Sequence, residues 1–192
     1  MSSIKLTADS GGGTFEIKAP SSSGNTRVLT LPDTKNLTLN GGRILQVVKV
    51  TQESVTSWAT TTYADISGLT ATINGVTSGS KIIVDFNLIL GCSHDTHFLF
   101  KLFRDSTFLP AFSGASMSLT HYPADFSNAQ YLFDAVSLRF VDTHGQSEGS
   151  NLVYKLQGAN DGSSGYVQYL NRRHYDSTQR GQSLMTLTEV AA

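Results

Sequence analysis

Hydrophobic and polar residues alternate along most of this chain, and the clearest alternation lies in residues 81–105. Every second residue from 82 to 90 is apolar, and a second alternating run begins at Phe98 after the polar stretch 91–95. A period of two with β-branched and aromatic residues is typical of strands, whereas a helix would place Asp85 in its apolar stripe. We therefore predict two antiparallel strands that form a central hairpin.

The opposite face of this predicted hairpin is half apolar, although the outer face of an isolated sandwich should be polar. We expect part of it to be buried, either by an outer strand or by a contact between copies of the chain. Substituting Phe103 with Asp should then weaken assembly as well as stability. The apolar residues of this face are Ile83, Ile89, Leu99 and Phe103.

The chain from residue 43 onward continues this pattern. Alternating runs are separated by turns rich in Gly, Ser and Asn, and residues 106–129, which contain two of the four prolines, predict loops with short edge strands. A strand about every dozen residues, without a helical segment, indicates an all-β, antiparallel jelly-roll sandwich over residues 43–192. The other predicted strands lie in residues 44–54, 63–73, 131–143, 151–159, 165–173 and 183–191.

Residues 1–42 form a different region, with short alternating segments separated by DSGGG, PSSSGN and PDTKN. A unit of ~40 residues with so few large apolar side chains normally needs a disulfide, a metal or association. The composition offers neither disulfide nor metal site, and the alternation argues against disorder. We therefore expect ordering by pairing with copies of the chain or with a partner. The segments are Ile4–Thr7, Phe15–Lys18, Arg27–Leu31 and Leu37–Leu39.

Charge and composition narrow the class of function. Only 15% of the 192 residues are charged and the net charge is −1, so electrostatics does not favour nucleic acid or an anionic membrane as partner. No apolar run approaches the about 18 residues of a membrane span, and the N-terminus lacks a signal-peptide pattern. We expect synthesis in a reducing cytoplasm, with the single cysteine, Cys92, unreactive and free of an intramolecular disulfide.

The motifs of the chain do not predict a reaction or a cofactor. His94 and His97 suggest a metal site, but strand geometry places residues three apart on opposite faces, so we interpret them as turn residues. The sequence leaves open a metal site formed by symmetry-related histidines of an oligomer. No GxSxG motif stands at a strand-to-helix turn, and the carboxylates do not form a convincing glycosidase pair. We expect a protein that is not an enzyme.

Two loops contain the residue types most suited to recognition, HYPADF (121–126) and NRRHYDSTQR (171–180). Tyr and Arg combine a large contact area with directional polar groups. The alternative is that these are solvated loop residues or contacts between subunits. Trp58 is expected to pack against a strand or subunit edge rather than to stack on a sugar. The candidate receptor-contact residues are His121, Tyr122, Asp125, Arg172, Arg173, His174 and Tyr175.

Several segments together carry a family resemblance. The start, IKLTADSGGGTFEIKAPSSSGNTRVLTLPDT, resembles the N-terminal segment of fibre-type virion proteins from tailed bacteriophages, especially cyanophages. The remainder, with ILQVV, KIIVDFNLIL, FKLFRDST and LMTLTEV, is similar to trimeric jelly-roll knobs of the C1q and tumour-necrosis-factor type. This resemblance implies a homotrimer with an N-terminal stalk and supplies no catalytic residues. The candidate trimer contacts are Phe15, Ile17, Val28, Leu31, Leu99 and Phe103.

The expected function is therefore that of a virion structural protein, a tail or head fibre. Residues 1–42 would attach to other virion proteins, and the knob of residues 43–192 would meet a host-surface glycan or protein. A capsid or neck decoration protein without a host-binding role is the alternative. A polysaccharide-degrading spike is a third reading, but 192 residues are short for the long parallel β-helix that such enzymes carry.

Overall fold

The computed structural model describes residues 3–7, 14–18, 42–94, 96–109, 117–118, 130–160, 165–176 and 178–192. The chain divides into two compact units, residues 1–39 and 40–192. Within the described ranges every strand pair is antiparallel and no α-helix occurs, which confirms the all-β prediction.

In the first unit, two five-residue strands pair with each other. Strand β1 (Ser3–Thr7) runs antiparallel to β2 (Thr14–Lys18), and the register joins Ser3 to Lys18 at one end and Thr7 to Thr14 at the other. These segments thus find a pairing partner inside the chain, whereas the sequence predicts pairing with another copy or partner. The trimer contacts predicted for Phe15 and Ile17 of β2 stay predictions. Residues Val28 and Leu31, and the segments Arg27–Leu31 and Leu37–Leu39, lie outside the described residues.

The strands of the second unit follow the predicted alternating runs closely, because each run buries one face. The short strands in the proline-containing region are also present at the predicted place. The strands are β3 (Ile44–Gln52), β4 (Thr56–Trp58), β5 (Ala64–Val76), β6 (Lys81–Cys92), β7 (Phe98–Arg104), β8 (Thr107–Leu109), β9 (Met117–Ser118), β10 (Asp134–Asp142), β11 (Ser150–Asn160), β12 (Gln168–Leu170) and β13 (Ser183–Val190).

These strands form two sheets in jelly-roll order. In the first sheet β3 pairs with β13, β13 with β6, and β6 with β10; β12 pairs with the end of β6 and with β4. In the second sheet β5 pairs with β11 and β11 with β7, whose other partners are β8 and β9. Early strands thus pair with late ones in a nested series, β3 with β13, β5 with β11 and β6 with β10. This nesting defines a jelly roll and confirms the predicted fold.

The predicted hairpin of residues 81–105 is wrong. Strand β6 lies in the first sheet and β7 in the second, so the chain crosses between the sheets after Cys92 and before Phe98. An alternating pattern specifies which face of a strand is buried. It does not specify whether two successive strands pair side by side or face each other across the core. Gly91 and Cys92, predicted in the turn, are the last residues of β6.

The half-apolar back face predicted for this hairpin is therefore not one surface. Ile83 and Ile89 lie on the outer face of the first sheet, and Leu99 and Phe103 lie on the outer face of the second. All four side chains are half-buried. Their predicted part in contacts between subunits stays a prediction.

Two of these side chains are covered by their own chain. A Cβ atom on Gly181 would lie 2.6 Å from Cγ2 of Ile89, so the backbone of the loop before β13 passes directly over that side chain. The ring of Phe103 packs against Phe108 of the neighbouring strand β8 with centroids 5.7 Å apart. Local packing thus accounts for part of the apolar surface outside the core.

The core lies between the two sheets and is filled mainly by the inward faces of β5, β6, β7 and β11. Fully burying an aliphatic or aromatic side chain contributes about 1.5–3 kcal/mol, so this layer supplies most of the stability. Trp58 packs against it, with its ring 6.3 Å from that of Phe100 in an edge-to-face arrangement. The largest fully buried apolar residues include Phe98, Phe100, Leu69, Ile73, Ile82, Leu88, Leu90 and Tyr154.

A buried polar group ties the two sheets together at one end of β10. Asp142 accepts hydrogen bonds from Nη1 of Arg104 at 2.7 and 2.9 Å and from the hydroxyl of Tyr154 at 2.7 Å. Burial raises the pKa of Tyr154 well above its ordinary value, and the bond to Asp142 raises it further. The tyrosine therefore stays protonated and acts as a donor to a carboxylate that Arg104 neutralises.

Candidate recognition surface

The loop after β12 is anchored at Asn171, which is fully buried. Its backbone N–H donates to Ile89 O at 2.8 Å, and its Nδ2 donates to the carbonyl oxygens of Gln52 and Ser54 at 2.6 and 3.0 Å. Its Oδ1 accepts from Ser183 Oγ at 2.7 Å. The residue adopts φ = +67°, a left-handed conformation that Asn tolerates better than most residues. Asn171 therefore fixes the start of the loop to three strands of the first sheet and to Ser54.

Gly91 allows this loop to lie directly on β6. A Cβ atom there would stand 2.3 Å from Arg172 O, 2.9 Å from Arg173 Cα and 3.0 Å from Leu132 O. These are backbone atoms of two separate segments, so neither can move aside without moving a whole loop. The missing side chain of Gly91 thus brings the segment before β10 and the segment after β12 together.

Arg172 holds the first turn of the loop. Its Nε and Nη2 donate to the carbonyl oxygens of Arg173 and His174 at 2.9 and 3.1 Å, and its guanidinium lies 4.6 Å from the ring centroid of Tyr169. The hydroxyl of Tyr169 is hydrogen-bonded to Nδ1 of His174 at 2.9 Å. Burial lowers the pKa of His174, and electrostatic interactions with Arg172 and then His94 lower it further. His174 is thus neutral at neutral pH.

Two tyrosine rings meet on the surface beside this turn, and we call Tyr131 and Tyr175 the tyrosine platform. Their ring centroids are 4.4 Å apart with an interplanar angle of 39°. Tyr131 is 41% exposed and Tyr175 57% exposed. The backbone N–H of Tyr175 donates to Gln130 O at 2.9 Å, which joins the two segments that contain the rings. The platform is an exposed aromatic surface held by backbone contacts.

Arg173 and Asp176 support the platform from one side. The guanidinium of Arg173 lies 5.8 Å from the centroid of each tyrosine ring, and its Nε and Nη2 both donate to Asp176 Oδ2. The other carboxylate oxygen of Asp176 accepts three bonds, from Thr178 N, Thr178 Oγ1 and Gln179 N. The bonds from Arg173 and then Thr178 hold the pKa of Asp176 well below its usual range, so the ion pair persists in mild acid.

The structure thus brings together four of the seven predicted receptor-contact residues. The other three, His121, Tyr122 and Asp125, lie outside the described residues. Two tyrosines of the same surface, Tyr131 and Tyr169, were not predicted from the sequence. Both lie in alternating runs that predict strands, and only loops were considered as contact sites. We call the whole set the recognition surface: Tyr131, Tyr169, Arg172, Arg173, His174 and Tyr175.

The histidines that suggested a metal site have other neighbours. His94 stacks on Tyr166 with centroids 4.5 Å apart, and its Nδ1 lies 2.9 Å from Ser93 Oγ. Within the part of the chain that the structure describes, no three His, Cys, Asp or Glu side chains converge as metal ligands would. A helix long and apolar enough to cross a membrane is likewise not found among those residues.

A serine, a histidine and a glutamate do form a buried chain, but its bonds run in the wrong direction for a nucleophile. Gln146 N–H donates to Nδ1 of His144 at 3.0 Å, so the neutral imidazole carries its proton on Nε2, 3.1 Å from Ser80 Oγ. The proton of Ser80 Oγ is donated to Glu189 Oε1 at 2.6 Å. A serine nucleophile needs the histidine as acceptor of its proton. The three side chains therefore form a series of buried hydrogen bonds that supports the fold, in which Ser80 links His144 to Glu189.

A second exposed surface crosses the outer face of the first sheet. The register aligns Val47 with Thr188, Thr188 with Ile83, and Ile83 with Val141, one residue from each of four neighbouring strands. Val47 is 57% exposed and Val141 50% exposed. We call these four residues the outer row. Val47 and Val141 thus stand exposed at the two ends of a row that crosses four strands, where a second copy or a partner could cover them.

An exposed ion pair lies on the same face, one pair of residues farther along the strands. Arg139 donates to Asp85 at 2.6 Å from Nε and 3.3 Å from Nη2. Together with Thr186 and neighbouring residues, this pair lines an open depression of about 480 Å³. The outer face thus combines the outer row with an adjacent hollow of mixed polar and apolar lining, a mixture found in many protein contact surfaces.

Comparisons with known proteins place the chain in no established group. No protein-family model matches it, and no curated protein matches it as a relative. Among solved structures, dimeric latent PorU from Porphyromonas gingivalis aligns over 79% of this chain and 14% of its own length, with 10% identity and a TM-score of 0.36.

Two solved structures from infectious bursal disease virus are also similar. The VP2 subviral particle aligns over 93% of this chain and 46% of its own, with 12% identity and a TM-score of 0.42. The Gx strain structure aligns over 98% of this chain and 46% of its own, with 10% identity and a TM-score of 0.31. The chain therefore spans less than half the length of each of these proteins. At such low scores and identities, we draw no functional conclusion from the likenesses.

Proposed function

We propose that this chain is a non-enzymatic structural component of a bacteriophage virion, a homotrimeric tail or head fibre. In this proposal residues 1–42 attach to other virion proteins, and the jelly-roll knob contacts the host surface. The observation that carries it is the recognition surface, an aromatic and arginine-rich surface fixed to the end of a rigid sandwich. The N-terminal sequence resemblance supports the assignment to a phage particle.

The recognition surface has properties that a binding surface needs. Tyr and Arg are enriched among the residues that dominate binding energy, and here they are held in place before any partner arrives. Asn171 and Gly91 fix the loop to the sheet, and the Arg173–Asp176 pair fixes the rings. Such a surface loses little conformational entropy on binding.

The outer row supports the part of the proposal in which copies of the chain bind one another. Exposed apolar side chains at Val47 and Val141 are costly in water, and contact between copies of the chain would remove them from it. Closed symmetric assembly is the usual outcome when one surface of a chain binds another copy.

Binding of purified protein to cells of the host bacterium tests the host-contact role. We expect binding by the wild type and by Arg139→Ala, and loss of binding by Arg173→Ala. Arg139 is a matched control because it also forms an exposed ion pair with an aspartate, on a different surface. Loss in both variants, or retention in Arg173→Ala with the wild-type oligomeric state, would contradict a role for the recognition surface.

A capsid or neck decoration protein is the second candidate, in which the outer row would bind the particle instead of another copy of the chain. A particle-binding surface needs exposed apolar residues and no host-directed loop. Gold-labelled antibody on intact particles separates the candidates, since a fibre is labelled at the tail or on projections and a decoration protein over the shell. A decoration protein should also stabilise particles against heat without binding cells.

A further inference from the structure

We propose that the sandwich binds an ordered water molecule between its two sheets, at the end of the core that contains Trp58, Asn160 and Gln168. Three buried polar atoms there, Trp58 Nε1, Asn160 Oδ1 and Gln168 Oε1, have no hydrogen-bond partner among the described residues. Buried polar atoms without a protein partner are rare in folded proteins, and internal water is the usual ligand that satisfies them. This site is independent of the proposed function.

The orientation of both amides is set by the bonds that their nitrogen atoms form. Asn160 Nδ2 donates to Tyr166 O at 2.8 Å, and Gln168 Nε2 donates to His97 O at 2.7 Å. A reversed amide would place an oxygen atom against each of these carbonyl oxygens. In both residues, which are 1% and 0% exposed, the oxygen is therefore the atom left for another donor.

Strand register and close contacts bring these side chains to the same end of the core. Gln168 is the register partner of Trp58, so their side chains lie on the same face of the first sheet. A Cβ atom on Gly158 would lie 3.1 Å from Cε2 of Trp58, the ring carbon bonded to Nε1. Asn160 follows Gly158 by two residues and shares its inward face of β11 in the second sheet. The three unpartnered atoms therefore surround one region between the sheets.

The donor and acceptor types of these atoms match water. A water molecule has two O–H donors and two acceptor lone pairs, and buried waters typically form about three hydrogen bonds. The indole N–H of Trp58 can only donate and each amide oxygen can only accept, so one water can accept from the indole and donate to the amides. A metal cation would find two oxygen ligands but would be repelled by the indole N–H. The donor set thus selects water over a cation.

This water joins the two sheets at the end of β6 that lies opposite to the buried Asp142 group. Asp142 pairs with Ile82 near the start of β6, whereas Gln168 pairs with Cys92 at its end. Direct bonds between side chains connect the sheets at the first end. At the second end β4 and β12 contain only three residues each, so the ladder supplies few bonds and the water adds a connection to β11.

The indole N–H proton is the probe for this site, because Trp58 is the only tryptophan of the chain. Its NMR resonance is unambiguous, and NOE and ROE transfer from selectively excited water measures whether a water stays beside it. We expect NOE and ROE of opposite sign, as for a water retained longer than surface water. Gln168→Met and Asn160→Leu each remove one acceptor and should reduce the transfer at least twofold. Gln157→Met, the same substitution on the outer face of β11, should leave it unchanged.

Lack of such transfer in the wild-type chain would overturn the proposal. Full transfer in both core variants would also overturn it, because the signal would then come from a neighbouring hydroxyl group that exchanges its proton. Oxygen-17 relaxation dispersion counts long-lived waters without relying on proton exchange, and we expect at least one fewer in Gln168→Met than in Gln157→Met. A wild-type chain without long-lived water contradicts the proposal even if both core variants fold poorly.

Discussion

Ser183 donates a hydrogen bond to the side-chain oxygen of Asn171 over 2.7 Å, and both residues are fully buried. Ser183 begins the last strand of the jelly roll, and Asn171 begins the loop after β12, which we call the recognition loop. Ser183 Oγ also accepts from Ile89 N at 3.0 Å, so β6, β13 and the loop meet at one polar point. The position of the exposed rings thus depends on a buried amide.

Asn171→Ala should lower the free energy of unfolding by about 3 kcal/mol, since it removes buried hydrogen bonds and leaves their partners unpaired. Asn171→Gly loses the same bonds but accepts φ = +67° without strain, so it should be about 1 kcal/mol less destabilising than Asn171→Ala. Chemical denaturation measures both. Equal stability of Asn171→Ala and the wild type would show that the amide does not anchor the loop.

Gly91→Ala should displace the recognition loop and cost about 1–3 kcal/mol, because the new methyl group meets only backbone atoms. Gly158→Ala is the matched control: this glycine is also buried in a strand, but its new Cβ meets side chains of Ile66 and Trp58 at 3.0–3.2 Å, which can adjust. Tyr131 and Tyr175 ring resonances should shift in Gly91→Ala and not in Gly158→Ala. Unshifted ring resonances in Gly91→Ala would mean that the close approach does not position the platform.

Acid should destabilise the second unit through Glu189, which is almost fully buried. Burial raises the pKa of its carboxyl, but bonds from Ser80 Oγ, Thr77 N and Gln46 Nε2 lower it more, and the net pKa lies below the ordinary value of 4.5. The unfolded chain therefore binds the proton first, so this stabilisation is complete above pH 4.5 and is lost as the pH falls through the folded-state pKa.

Glu189→Gln removes the titrating group, so the free energy of unfolding should fall less steeply below pH 4.5 than in the wild type. At neutral pH the variant should be less stable, because an amide N–H₂ then faces one of the three donors. Urea denaturation from pH 3 to pH 7 measures both effects. Parallel pH profiles for the two proteins would exclude Glu189 as the acid-sensitive group.

Val47→Glu and Val141→Glu should each weaken the proposed trimer and change the stability of the single chain by less than about 0.5 kcal/mol. The reason is that both side chains lie in the exposed outer row, and a carboxylate there cannot be desolvated cheaply in a contact between copies. Thr51→Glu, an exposed position on the same face of β3, is the control and should leave assembly intact. Analytical ultracentrifugation gives the result, and a wild-type mass of 20.7 kDa in dilute solution would contradict the trimer itself.

Much of the fold could be predicted from the sequence because the alternation in each strand is a local property. The runs around Ile82, Phe98, Leu152 and Leu187 each bury every second residue, and each became a strand at its predicted place. Arg172, Arg173, His174 and Tyr175 could be singled out because they cluster in one loop of a chain in which only 15% of the residues are charged. Residue type and spacing thus determined the all-β class, the strands and one candidate loop.

Only the tertiary structure decided which strands pair and which side chains meet. The sequence predicts β6 and β7 as a hairpin, but they lie in different sheets, since burial of a face does not encode the neighbour at an edge. Tyr131 meets Tyr175 only because Gly91 lets two segments that are distant along the chain cross β6 at backbone contact. Such contacts depend on long-range packing, which alternation along a single strand does not record.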